Sequence, residues 1–388
     1  MSTTQPKAVY CLYYAALSCL VPYMSLYYQQ RGMTGAQIGI LAGLIPLITL
    51  GSSPFWGGIA DATRRHRAVL LFNIAGLWLA VLGLLFAGSF LTLLLGVVAY
   101  AIFVGPIVPL VDNAVMDLLG ERKADYGRVR AWGAVGWGLT AAAMGPILQR
   151  AGLSWGFYGF LVFMALCWMA ASQLTMGLST VRQAYSASLG VLVGNGRFLL
   201  LLAVALLYGI GIGVLLSYQF LFLEQLGASR TLMALSLTVS TLSELPFWFL
   251  GSWLLRRFGI SRMVVLALLA TILRYFALSF MQAPWLVLPI SLLHGPSFAI
   301  LWAALVADAD AAAPPGVGAT AQGLVSGALF GMGSALGGFV GGPTYEAIGF
   351  ARLFALIGWL VVAALLLFLA GRLIPRARRN RLLAQEKS

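Results

Sequence analysis

Charge is the scarcest property of this 388-residue sequence. Asp, Glu, Lys and Arg make up 9% of it, against 61% hydrophobic residues and a mean hydropathy of +0.93. A soluble domain carries roughly 25% charged residues, so this chain has too few to cover a water-facing surface, and lipid must face most of its exterior. No polar stretch of domain length lies between the apolar runs. Cysteine is nearly missing as well. Cys11, Cys19 and Cys167 all lie inside apolar runs, an arrangement that makes neither a disulfide framework nor a metal set. An activated nucleophile beside a base, a metal-ligand cluster and a phosphate-binding loop are also missing, so an enzyme is not expected and no cofactor is implied.

What the sequence does have is apolar length. A membrane helix needs about 20 apolar residues, and such stretches recur at 8–29, 37–60, 68–88, 91–119, 126–149, 155–176, 198–223, 231–255, 262–281, 284–307, 320–342 and 351–374. The expectation is an all-α integral membrane protein of twelve transmembrane helices. It divides into a six-helix bundle at 1–176, a central cytoplasmic link at 177–197, a second six-helix bundle at 198–374 and a basic cytoplasmic tail at 375–388. The first run carries Pro22 and a row of tyrosines and is long enough to span, so it reads as a retained helix and not a cleaved signal.

The net charge of +13 is organised by position. With the N-terminus in the cytoplasm, 19 of the 24 Lys and Arg residues fall in cytoplasmic links or the tail; Arg31, Arg150, Arg230 and Arg352 fall outside, and Arg274 falls within a helix. That asymmetry follows the positive-inside rule and is not the pattern of a nucleic-acid groove. The expected setting is a plasma or bacterial inner membrane, with both termini cytoplasmic. The expected partners are the bilayer and a small-molecule substrate, and the chain is expected to be a monomer.

The two halves echo each other. Gly57-Gly58-Ile59-Ala60-Asp61-Ala62-Thr63-Arg64-Arg65 follows the second helix, and Gly251-Ser252-Trp253-Leu254-Leu255-Arg256-Arg257-Phe258-Gly259 follows the eighth, 194 residues later. Two bundles related by an axis along the membrane normal produce such an echo, with a binding site between them near the midplane. The first of these links resembles the major facilitator signature at Gly57, Asp61 and Arg65, with Ala62 and Arg64 departing from it. The resemblance implies a cytoplasmic clasp, in which Asp61 caps or pairs near a neighbouring helix end and Arg65 holds a carboxylate of the same half. A plain basic loop that only sets topology is the alternative.

Ionisable residues within the apolar runs carry the chemistry, because each costs about 2.5–3.5 kcal/mol at the bilayer centre. Glu244, Arg274 and His294 each lie roughly 15–20 Å into the eighth, ninth and tenth helices. One depth on successive helices predicts a single cluster, suited to proton coupling through a carboxylate; a static buried pair that orders the bundle is the alternative. In the first half, Pro106 and Pro109 precede Asp112-Asn113, and Arg130 and Trp137 lie seven residues apart on one helix face. An acid, an arginine and an indole suit a polyol or an aromatic solute; the alternative leaves Arg128 and Arg130 in the cytoplasmic loop. Two glycine sets in the eleventh helix (Gly323, Gly327, Gly331; Gly333, Gly337, Gly341) predict close packing, against a moving neighbour. Tyr10, Tyr13, Tyr14, Tyr23, Tyr27 and Tyr28 suit either the cavity or the interface belt, with the belt expected for Tyr27 and Tyr28.

At these residues the chain resembles the lactose permease group of the major facilitator superfamily, and above all its phenylpropionate-permease-like and nucleoside-symporter-like relatives. Pro109-Leu110-Val111-Asp112, Gly127-Arg128-Val129-Arg130 through Gly136-Trp137, Leu293-His294 and Tyr345-Glu346-Ala347-Ile348-Gly349-Phe350 carry the resemblance. It implies substrate-binding roles for Asp112, with Asn113 beside it, for its partner Arg130, and for Trp137 as the ring that stacks on the solute. It implies that Glu244 joins the substrate and proton sites, and that Arg274 and His294 complete the proton-coupling cluster. Ser297 stands where lactose permease has a proton-carrying glutamate. Ser217-Tyr218-Gln219-Phe220 lacks the helix-seven aspartates, and their lysine partners are gone too. If protons are coupled, Glu244 with His294 must carry them. The function implied is proton-coupled symport, by alternating access, of a sugar, a nucleoside or an aromatic acid, the proton being the coupling ion. The alternatives are a proton-driven efflux antiporter, for which Gly145-Pro146 fits but Ala141 does not, and a non-transporting receptor.

Overall fold

Lipid offers backbone groups no hydrogen-bond partner, so apolar runs of spanning length become helices. The computed structural model describes residues 3–174, 192, 194–313 and 317–385; the predicted link at 177–197 lies largely outside them. The helices are α1 (Thr4–Gln30), α2 (Gly35–Thr63), α3 (His66–Phe86), α4 (Phe90–Leu119), α5 (Tyr126–Ala151) and α6 (Ser154–Ser172), then α7 (Gly196–Gln225), α8 (Arg230–Phe258), α9 (Ile260–Ser279), α10 (Pro284–Ser291 and Gly295–Ala312), α11 (Thr320–Ile348) and α12 (Phe350–Gln385). Among the described residues ten are long and apolar enough to cross a membrane, and the two pieces of α10 make an eleventh span. The remaining one, α5, has 26 residues and so a length of about 39 Å, but arginines and glycines dilute its apolar content. α12 runs on through Pro375 to Gln385, where the sequence predicts a separate tail; the Arg, Leu and Ala residues beyond the proline are good helix formers.

Packing repeats in the two halves. α1 lies against α5 and α6, α2 against α4, and α3 against α4 and α6; in the same order α7 lies against α11 and α12, α8 against α10, and α9 against α10 and α12. The halves meet along two equivalent seams, α2 on α11 and α5 on α8. Glycine makes the first seam close: a Cβ at Gly43 would meet Phe339 at 2.7 Å and the Ala335 carbonyl at 2.8 Å, and one at Gly338 would meet the Gly43 nitrogen at 2.7 Å. The predicted glycine sets of α11 divide between two neighbours. Gly327 and Gly331 face Leu50 across the seam, whereas Gly333, Gly337 and Gly341 face α7 of their own half.

The seams begin at the end of the molecule that carries Arg31, Arg150, Arg230 and Arg352, and there each is fastened in the same way. The first backbone N–H groups of a helix have no partner within it. On α2, Thr34 caps the Gln37 N–H from within, while Glu346 of α11 takes the first two donors, Gly35 N–H at 2.5 Å and Ala36 N–H at 3.3 Å. On α8, Ser229 caps Leu232, while Gln149 of α5 takes the Arg230 N–H at 2.7 Å. Each seam is thus closed by a helix cap supplied from the opposite half. Losing a side-chain cap costs roughly 0.5–2 kcal/mol. Glu346→Ala is therefore expected to shift the closed-to-open ratio of this end roughly two- to thirtyfold, read as spin-label distances across the α2–α11 seam; an unchanged distance distribution would remove the cap from the closure.

Candidate functional site

Two clusters of charged side chains lie within the bundles, one on α8, α9 and α10 and one on α1, α4 and α5. In the C-terminal half, Gly295 is the key to the geometry. A Cβ there would collide with the Ser243 carbonyl of α8, so glycine lets α8 and α10 touch. The Gly295 N–H then donates to Ser243 Oγ at 2.9 Å. Pro296 follows, the chain makes a π-helical turn over Gly295–Ala299, and α10 bends by 46°. Such turns recur at functional sites. His294 sits at this bend, one residue from the helix contact, and Glu244 sits one residue from it on the other side.

The result is a chain of three polar groups. Arg274 Nη1 donates to His294 Nδ1 at 2.6 Å, because an arginine has donors only. His294 therefore carries its proton on Nε2, which faces Glu244 Oε1 at 2.8 Å. Trp248 Nε1 donates to Glu244 Oε2 at 3.0 Å. The His294 ring stacks on Phe298, 5.2 Å between centroids and 4° from parallel. Arg274 is 4% exposed, whereas the His294 and Glu244 side chains are 18% and 20% exposed. Among the described residues no ion pair or hydrogen bond joins Arg274 to Glu244 directly; the imidazole stands between them. Ser297, at the position of the family glutamate, donates to the His294 carbonyl at 3.1 Å and is buried.

In the N-terminal half, Arg130 and Asp112 approach to 3.8 Å, with side chains 32% and 30% exposed. Each is also held by a tyrosine of α1 that the sequence reading left open between the cavity and the interface belt. The Tyr10 hydroxyl donates to Asp112 Oδ1, and Arg130 Nη2 donates to the Tyr14 hydroxyl at 2.5 Å. The guanidinium also lies over both rings, 5.1 Å from the Tyr10 centroid and 4.7 Å from that of Tyr14. Trp137 is half-buried, and its carbonyl accepts from Ser18 at 2.9 Å. Asn113 is exposed, one residue round the helix from Asp112. Among the described residues no ion pair or hydrogen bond joins the N-terminal cluster to the C-terminal one. Tyr27 and Tyr28 are buried, 4% and 1% exposed; the Tyr27 hydroxyl reaches the Leu84 and Leu85 carbonyls, so they pack inside the first half and do not form an interface belt.

Gly57, Asp61 and Arg65 lie apart from both clusters, at the cation-rich end of α2. Asp61 meets the His66 ring nitrogen Nε2 at 2.8 Å, and Arg64 turns the chain with φ 54°. Among the described residues no ion pair joins Arg65 to a carboxylate. At the same end Arg197 and the buried Asp308 pair α7 with α10.

Comparison with known proteins agrees with this architecture. Residues 4–366 match the MFS_1 like family. The chain is 31% identical over 375 residues to the maltose permease of Geobacillus stearothermophilus, covering 94% of this chain and 93% of that one. It is 25% identical over 313 residues to a probable 3-phenylpropionic acid transporter of Escherichia coli (strain K12), covering 75% and 78%. The crystal structure of the nucleoside transporter NupG superposes with a TM-score of 0.83 at 17% identity, covering 96% of this chain and 99% of that one.

Proposed function

The chain belongs to the MFS_1 like family of membrane transporters, and from that footing we propose that it is a proton-coupled symporter of a small, uncharged, hydroxyl-bearing solute. The observation that carries the reading is the state of charge of the two clusters. Asp112 faces Arg130, and Glu244 is joined through a neutral His294 to Arg274. Asp112 neutralises Arg130 where the solute would sit, so an anionic solute finds no spare cation at that pair and an uncharged one meets no penalty. Asp112 offers acceptors and Arg130 donors to solute hydroxyls, with Trp137 as the ring for an apolar face.

Glu244 suits the proton. Its two direct partners are neutral donors, His294 Nε2 and Trp248 Nε1, so protonating it breaks no direct ion pair. Asp112, beside Arg130, lacks that freedom. The seam closed at one end supports alternating access: the helix caps and glycine contacts there open as the opposite end closes. The cation distribution supports placing both termini in the cytoplasm of a cell membrane, which makes the sealed end the outer one.

The test is uptake into proteoliposomes under an imposed pH gradient, acid on the side from which solute enters, with maltose, uridine and 3-phenylpropionate as labelled solutes. Gradient-dependent accumulation of maltose or uridine, with 3-phenylpropionate left behind, is expected. Preferential accumulation of 3-phenylpropionate overturns the uncharged-solute reading. Flux that ignores the gradient overturns proton coupling, and outward pumping of solute favours an efflux antiporter.

A further inference from the structure

We infer that Tyr10 and Tyr14 are positioning residues that prop the Asp112–Arg130 pair open, so that its remaining donors and acceptors stay available to a solute. The inference rests on the reading of this pair as part of the solute site. An arginine and a carboxylate left together in a low-dielectric interior close to about 2.7–2.9 Å, often through two parallel hydrogen bonds. Here the closest approach is 3.8 Å, between Arg130 Nε and Asp112 Oδ1, outside hydrogen-bonding range.

Each partner has a tyrosine where the other partner's atom would be. The Oδ1 atom that faces the guanidinium is the one that accepts from the Tyr10 hydroxyl. The Arg130 Nη2 hydrogen goes to the Tyr14 hydroxyl at 2.5 Å. Tyr10 and Tyr14 lie four residues apart, so both rings stand on one face of α1, and the guanidinium is gripped over both. That grip is braced. Tyr14 packs edge-on against the buried Tyr13, with centroids 5.2 Å apart.

Glycine in α5 makes the room. A Cβ at Gly133 would meet Tyr14 Cδ2 at 2.7 Å and Arg130 Nη1 at 3.2 Å, and one at Gly136 would collide with the Cys11 carbonyl. The glycines therefore let the tyrosine face lie directly on α5, beside the arginine. The Tyr126 hydroxyl also reaches both Asp112 and Arg130, and both side chains remain about a third exposed. A propped pair has already lost most of its water and has not spent its hydrogen bonds on itself, so a solute hydroxyl can reach them. A closed pair would have to be broken first.

The test uses the full chain. The structure of the Tyr10→Phe/Tyr14→Phe variant is expected to show Asp112 and Arg130 closed to about 2.8 Å. A pair still beyond hydrogen-bonding range overturns the inference, whether or not any solute is carried. In proteoliposomes each single Phe variant is expected to raise the half-saturation concentration for maltose or uridine, whichever the wild type carries, by about tenfold, with the maximal rate held. Gly133→Ala, which displaces the Tyr14 ring while keeping both hydroxyls, is expected to do the same. Reduced maximal rates at unchanged half-saturation overturn positioning in favour of a merely structural role. A wild type that carries neither solute defeats the functional reading, and the variant structure then decides the propping by itself.

Discussion

Glu244→Gln is expected to abolish uphill accumulation while leaving exchange of solute across the membrane intact. In the wild type a pH step of one unit can drive about tenfold accumulation if one proton accompanies each solute, since a factor of ten corresponds to 1.4 kcal/mol. Glutamine keeps the size of the side chain and one of the two acceptors that the His294 and Trp248 donors reach, at 2.8 and 3.0 Å in the present structure. It cannot lose a proton. Counterflow, in which labelled solute enters against unlabelled solute inside, needs binding and reorientation but no net proton movement. The expected pair of results is an accumulation ratio near one under the gradient, with counterflow retained. Undiminished accumulation in the variant removes Glu244 from the coupling.

The second large effect is expected from Gly43→Leu. This glycine lies in the α2–α11 seam, where even a Cβ would meet Phe339 at 2.7 Å and the Ala335 carbonyl at 2.8 Å. Part of that opposition is backbone, which cannot turn aside as a side chain can. Overpacking of this kind costs typically 1–3 kcal/mol, and here the cost falls only on the state in which the seam is closed. The variant is expected to favour the conformation open at this end by roughly five- to 150-fold. Net transport falls accordingly, and a cysteine introduced beside Gly342 becomes reactive to an impermeant thiol reagent added outside. Normal transport together with an unreactive cysteine would show that the seam yields locally and does not govern access.

The helices were legible from the sequence because lipid imposes one rule on every span. The fifth was read at 126–149 as well, where the structure has Tyr126–Ala151, although its arginines and glycines dilute the apolar signal by which a span is recognised. Arg130, Glu244, Arg274 and His294 were legible as charges out of place. Tyr10 and Tyr14 were legible only as candidates for the cavity or the interface belt; their register with Gly133 is a signal only once α1 and α5 are known to be neighbours. The caps from Glu346 and Gln149 were invisible for a related reason. Glu346 lies 311 residues from the N–H it holds; its segment was read for its resemblance to the family, and nothing local shows the cap. The π-helical turn after His294 was hinted at by Gly295-Pro296, but the imidazole's place between Arg274 and Glu244 depends on the contact at Ser243, which only the assembled bundle provides.

The direction of the hydrogen bonds along Arg274, His294 and Glu244 has a consequence for traffic. A guanidinium can only give hydrogen, so the imidazole's other nitrogen is committed to receiving it, and every bond in the row points the same way, toward the carboxylate. A proton that lands on Glu244 meets a cul-de-sac behind it. Under the proposed coupling its one way off is the exposed side of the carboxylate, and the side of the membrane to which that side stands open decides where it goes.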